Sequence, residues 1–129
     1  MLEQDAVGLV IADPWISKIL AGEKVWEMRS TPIKRRGDIA LIKKGSGHIV
    51  GIATVTGCVG PLSDAEVVEQ FSKHRVPLDQ IGKWRYAWQL SNVRRLPRPV
   101  PYTHKVGAVK FVSLEPGVIQ DVNAQLSGT

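Results

Sequence analysis

Apolar residues along this chain fall into short runs separated by turn-forming residues. Val7, Leu9, Val10 and Ile11 make a nearly continuous apolar stretch, which predicts a short buried strand over residues 7–12. Asp13 follows as a helix N-cap, with Pro14 at the first helical position, where its missing N–H costs nothing. Trp15, Ile16, Ile19 and Leu20 lie on one helical stripe, and Gly22 ends that helix. Residues 25–29 alternate: Trp26 and Met28 point one way, while Val25, Glu27 and Arg29 point the other. Residues 38–43 predict another strand and Gly45-Ser46-Gly47 a turn. Residues 49–59 predict a long strand in which Gly51 and Gly57 mark bulges or close backbone approach. Ser63 and Glu66 form a capping box ahead of Val67, Val68 and Phe71, which predicts a helix over residues 62–74, stopped by Pro77. Residues 86–96 and 106–114 read as the last two strands. Pro97, Pro99 and Pro101 make an extended, semi-rigid connection between them.

This pattern predicts five to six strands and two main helices, a mainly β protein with flanking helices and an α+β appearance. A small sheet with exposed edges invites unwanted pairing, so closure into a mixed β-barrel is the simplest arrangement. Residues 1–118 are expected to form one domain. Residues 119–129 read as a polar C-terminal tail that frays from Asp121.

Composition narrows the chemistry. With 129 residues the chain is long enough for one self-sufficient core. Cys58 is the only cysteine, so neither an intrachain disulfide framework nor a Cys-rich zinc site can form, and Cys58 reads as a small buried hydrophobe. His48, His74 and His104 are far apart and read as surface or strand-end residues, so no metal and no cofactor are expected. The apolar run over residues 6–12 is too short to span a membrane, which leaves a cytoplasmic protein with no membrane partner as the expectation. The net charge of +5 favours a polyanionic partner without locating it.

The location comes from residues 22–29. Glu27 and Arg29 sit two apart on a predicted strand, so their side chains leave the same face, and Lys24 lies at the strand mouth just after a helix end. Such a trio can form a polar pocket in which the cations contact phosphate or base acceptors and the carboxylate accepts from an amino group. It can equally be an ordinary solvated ion pair on a sheet face. Trp15, opening the helix beside this strand, is the candidate stacking platform; Trp26, Trp84 and Trp88 read as packing. Lys34, Arg35 and Arg36 follow the strand closely enough to form a basic rim, and the other basic clusters lie in turns or at strand ends. Ser63 is a helix cap with no triad around it.

Gly22, Lys24, Glu27 and Arg29 match every position of G-x-K-x-x-E-x-R, the hallmark of the ASCH domain. Asp13-Pro14-Trp15, residues 37–41, Gly51–Val55 and Trp88-Gln89-Leu90 also resemble that family, which covers most of residues 7–115. The resemblance implies a PUA-like β-barrel with Lys24, Glu27 and Arg29 lining a cleft between barrel and first helix. It implies RNA or a modified nucleotide as partner. Two branches of the family are catalytic: an N4-acetylcytidine amidohydrolase with a Lys, Thr and Glu arrangement, and a ribonuclease. Lys24 matches the lysine of both, and Lys24 and Glu27 would be the catalytic residues if this chain is an enzyme. Glu27 stands where the amidohydrolase has threonine, and Ser72-Lys73-His74-Arg75 offers no counterpart to its carboxylate. Glu27 three residues from Lys24 is expected to favour the charged ammonium, which suits binding better than base catalysis.

Overall fold

Alternate residues of the central strands face two different cores, and this explains why those strands read as unbroken apolar runs. The structure, a computed structural model, describes residues 1–108 and 110–127. Leu9 and Ile11 of β1 (Val7–Ile11) pack with Ile39 and Leu41 of β3 (Gly37–Lys43), Ala53 and Val55 of β4 (His48–Val59), and Trp88 and Leu90 of β5 (Tyr86–Pro101). This first core lies beneath α1 (Trp15–Leu20), which contributes Ile16 and Ile19. Ala40, Ile42, Ile49 and Ile52 point to the other face, under α5 (Pro116–Ser127) with its buried Ile119 and Val122.

Together with β2 (Trp26–Arg29) and β6 (Phe111–Ser113), these strands form one sheet in the order β2-β5-β4-β3-β1-β6. β1 and β3 run parallel, which requires a crossover, and α1 and β2 occupy it. The remaining pairings are antiparallel. The sheet curls into a half-barrel of the expected mainly β kind. Register shifts in the β4–β5 ladder fall at Ile49/Gly51, Ile52/Thr54 and Val55/Gly57, so both glycines mark irregularities as predicted. A Cβ on Gly51 would lie 2.7 Å from Leu20 Cδ2 and 2.8 Å from the Arg94 carbonyl oxygen, so α1 can approach the sheet only over a glycine.

The ends of the half-barrel meet through side chains, not through a backbone ladder. The Trp88 indole N–H donates to the Thr31 carbonyl at 2.9 Å, and Lys110 Nζ donates to Thr31 Oγ1 at 3.0 Å. The Arg29 guanidinium reaches the Val10 carbonyl at 2.9 Å.

Four expectations need correction. Among the described residues of the strand expected over 106–114, only Phe111–Ser113 belong to β6, and Val106 and Gly107 form a turn. The helix expected over residues 62–74 is interrupted at Gln70, giving α2 (Asp64–Glu69) and α3 (Phe71–His74), with α4 (Leu78–Ile81) after Pro77; the Ser63–Glu66 capping box is present. The proline-rich connection is the far half of β5. Its prolines sit two apart, so they withhold donors from one side only, along a stretch that β2 does not reach. The segment read as a fraying tail is a helix through Ser127, because Val118, Ile119, Val122 and Leu126 form a stripe that closes the second core. Asn123 clasps the chain's other end: its side-chain amide exchanges hydrogen bonds of 2.8 and 2.9 Å with the Leu2 backbone. Gly128 and Thr129, the last residues of the expected tail, lie outside the described residues.

Candidate functional site

The route from α1 to β2 decides where Lys24 goes. Asp13 Oδ1 accepts the Ser17 N–H at 3.2 Å, but the N-cap position falls on Pro14 and the helix begins at Trp15, one residue later than expected. Gly22 takes φ +81°, a conformation glycine adopts without a steric penalty, and its N–H bonds the Ile19 carbonyl at 3.0 Å. The turn continues with the Lys24 N–H on the Lys18 carbonyl at 3.2 Å. The Lys24 side chain therefore runs inward, and the residue is 1% exposed.

Its ammonium donates to two backbone carbonyls, Trp26 at 2.7 Å and His74 at 2.6 Å. Its third valence faces Glu27, whose Oε1 lies 3.8 Å away. The Trp15 ring adds a cation–π contact at 5.5 Å from its centroid. Glu27 is 4% exposed and receives Arg29 through Nε at 2.9 Å and Nη2 at 2.8 Å, both on Oε2. Oε1 is thus left with only the distant Lys24. Arg29 completes its bonding on the Val10 carbonyl and lies over the Trp88 ring at 5.6 Å.

Burial pushes the Lys24 ammonium down from 10.5 to about 8; Glu27 works in the opposite direction and Arg29 reinforces burial. Glu27 does favour the charged ammonium as expected, but burial outweighs it. The carboxylate is shared with Arg29 and too distant to offset the loss of water around the amine.

His74 supplies one of the two carbonyls from fifty positions away. Its ring is fixed by two contacts: Nε2 donates to the Val67 carbonyl at 2.7 Å, and Nδ1 accepts the Val76 N–H at 2.9 Å. This pair selects one neutral tautomer, and burial holds the imidazole below its usual value. The surface reading of His74 does not hold. The break at Gln70 puts Val67 on α2 and His74 on α3, and Phe71 is exposed, so no simple helical periodicity marked the burial of His74.

Lys24, Glu27 and Arg29 converge on one cavity of about 190 Å³, whose lining also includes Trp15, Trp84 and Lys44. Trp15 and Trp84 meet edge to face, with centroids 6.3 Å apart and planes at 88°, forming an aromatic corner. Trp84 was expected in the packing, yet it is 38% exposed beside the cavity. Lys34, Arg35 and Arg36 lie outside the lining and are exposed; Arg36 turns back onto the carbonyls of Ile33 and Arg35. Cys58 is half-buried, not fully buried. Among the described residues no group of three His, Cys, Asp or Glu side chains could hold a metal, and no helix is long and apolar enough to cross a membrane.

Residues 9–100 match the family described as ASCH domain. Among solved structures, the ASCH protein of Zymomonas mobilis is similar at a TM-score of 0.73 and 12% identity, over 95% of this chain and 96% of that one. A serine-to-alanine mutant of the same bacterial protein gives 0.70 at 13% identity, over 96% and 98% of the two chains. A tyrosine-to-phenylalanine mutant gives 0.70 at 13% identity, over 93% and 97%. No curated protein matches this chain.

Proposed function

This chain belongs to the ASCH domain family, generally RNA-binding-like, and we propose that it binds RNA or a modified nucleotide by taking one base into the cavity formed by Lys24, Glu27 and Arg29. The observation that carries this reading is the pair of unspent valences on the cavity wall. The third Lys24 N–H and Glu27 Oε1 face each other 3.8 Å apart, beyond hydrogen-bond distance, so each keeps bonding capacity for a ligand that enters the cavity. A donor and an acceptor at that spacing match the edge of a base or of an amide, which presents an acceptor beside an N–H. The Trp15–Trp84 corner supplies apolar faces for a planar ring. Arg29 holds Glu27 in place and is itself held, so ligand contact requires little further ordering.

The test is thermal stabilisation by a panel of common and modified ribonucleosides and by short single-stranded RNA. At one hundred times Kd a ligand specific for the native state adds about 2.7 kcal/mol to its stability. At least one compound is expected to raise Tm, and Glu27→Gln is expected to abolish the rise by replacing a carboxylate acceptor with an amide. A panel that leaves Tm unchanged, or a shift indifferent to Glu27→Gln, overturns the reading.

A second reading, hydrolysis, is favoured by one observation: an amine titrating near 8 can act as a base at neutral pH. With two carbonyls already taking two N–H groups, a neutral Lys24 would direct its lone pair toward Glu27 and the cavity. The substrate would then be an acylated nucleoside such as N4-acetylcytidine, or an RNA strand in a ribonuclease reaction. Cytidine release or RNA cleavage that disappears in Lys24→Met supports this reading, and equal rates in the two proteins remove it.

A further inference from the structure

We propose that Lys44 anchors a ligand phosphate at the cavity mouth, so that the site takes a nucleotide, free or within a strand, in preference to a nucleoside; this rests on the reading of the cavity as a base site. Size gives the first argument. A cavity of about 190 Å³ falls below the roughly 300–1,000 Å³ typical of sites for drug-sized molecules. It holds about one ring system, and the rest of a nucleotide must lie outside.

Charge accounting gives the second. Three cations line the cavity: Lys24, Arg29 and Lys44. Lys24 gives two N–H groups to carbonyls and keeps the third for the base edge, and Arg29 is taken by Glu27 and Val10, so neither is left for a phosphate. The Lys44 ammonium has no hydrogen-bond or ion-pair partner among the described residues. Its neighbour Lys43 pairs with Asp13 at 3.2 Å, so the cation left over is the one beside the cavity. Glu27 is the only carboxylate in the lining, and Arg29 already holds it, so no acidic group competes for Lys44.

Rigidity gives the third. The Lys44 N–H donates to the Ile11 carbonyl at 3.0 Å, extending the β1–β3 pairing by one residue, and Ser46 closes the turn on the Lys43 carbonyl through N–H and hydroxyl. An exposed ammonium thus projects from a fixed backbone. Lys34, Arg35 and Arg36, nearer in sequence to the motif, have no such place in the lining.

The experiment compares Kd for the four common ribonucleosides and N4-acetylcytidine with Kd for their 5′-monophosphates, using wild type, Lys44→Ala, Lys44→Glu and Lys43→Ala. For the base that binds best, the phosphate is expected to tighten binding about fivefold in wild type, the upper end for an exposed ion pair. Lys43→Ala keeps that ratio, Lys44→Ala brings it to within about twofold, and Lys44→Glu inverts it. A dinucleotide with only an internal phosphodiester separates the sources: an equal gain identifies a strand phosphate, and a gain confined to the monoester identifies a free nucleotide. Nucleosides that bind with no phosphate gain, or a gain untouched by both Lys44 variants, overturn the anchor and leave the base site standing. Failure of every compound to bind removes both.

Discussion

Lys24 makes folding stability depend on pH in an unusual range. An unfolded chain gives this amine its ordinary value of 10.5, and burial in the folded protein lowers it to about 8. Between these values the unfolded chain holds a proton that the folded protein has released, so wild-type stability rises with pH across the window from about 8 to 10.5. The contribution is complete above 10.5 and lost as pH falls through 8. At 1.36 kcal/mol per pH unit, the whole span is worth about 3 kcal/mol. The perturbation is Lys24→Met, which keeps an unbranched chain of similar length and removes the titrating group. Its absolute stability is not the readout, because the carbonyls of Trp26 and His74 lose their donor. The readout is the wild-type minus variant difference, from urea unfolding at half-unit steps between pH 7 and 10.5. Tyr102, whose phenol is raised by burial, opposes the rise near pH 10 in both proteins and cancels. The difference should climb by about 3 kcal/mol, most steeply between the two values. A flat difference would refute the claim that Lys24 gives up its proton readily, and with it the base role in hydrolysis.

Three other substitutions test the surrounding framework. His74 is held below its usual 6.5, chiefly by burial, so the folded protein resists its protonation and stability should fall as pH drops below 6.5; His74→Gln should cost about 1–3 kcal/mol at pH 7 and lose the part of that pH dependence beginning near 6.5, read by urea unfolding at pH 5 to 7.5. Gly51→Ala should lower stability by about 1–3 kcal/mol, because its Cβ meets Leu20 and the Arg94 backbone, whereas Gly117→Ala, with open space around it near the start of α5, should be neutral or slightly stabilising; equal Tm shifts would show that the close approach at Gly51 is unimportant.

Local rules made part of this site legible. Two-residue alternation put Glu27 and Arg29 on one face, and Gly22 marked the turn that aims Lys24. The state of Lys24 was not legible, because its proton affinity depends on a carbonyl fifty residues away and on the depth of the cavity. Proximity in sequence singled out Lys34, Arg35 and Arg36 as a cationic rim, but they lie outside the cavity lining. Parallel pairing of β1 with β3 instead brings Lys44 beside Ile11, a neighbour relation visible only in the topology. α5 was missed because Gln120, Asp121 and Asn123 interrupt its apolar stripe in linear order while lying off that stripe on the helix. Trp84 follows an irregular stretch with no periodicity to orient it.

The helical segments between β4 and β5 leave the sheet and return to it at one point. Val59 and Ala87 face each other across the two strands, the Leu62 N–H donates to the Arg85 carbonyl at 2.8 Å, and Arg85 grips Asp64 at 2.7 Å. Everything from residue 62 to residue 85 leaves and returns through this neck, but it also packs on β2 and β5, with Leu62, Val67, Val76 and Ile81 against Trp26, Met28 and Ala87, and it provides Val76, Trp84 and the His74 carbonyl to the cavity. The Val25 N–H on the Lys73 carbonyl at 2.9 Å ties the insert to the strand that bears the motif, so any exchange of the insert must keep that contact and the shared core. Evolution or an engineer could reshape one wall of the cavity this way while keeping the scaffold that bears Lys24, Glu27 and Arg29. Because the insert also carries an acceptor for Lys24, each exchange would reset the proton affinity of the amine together with the outline of the space it faces.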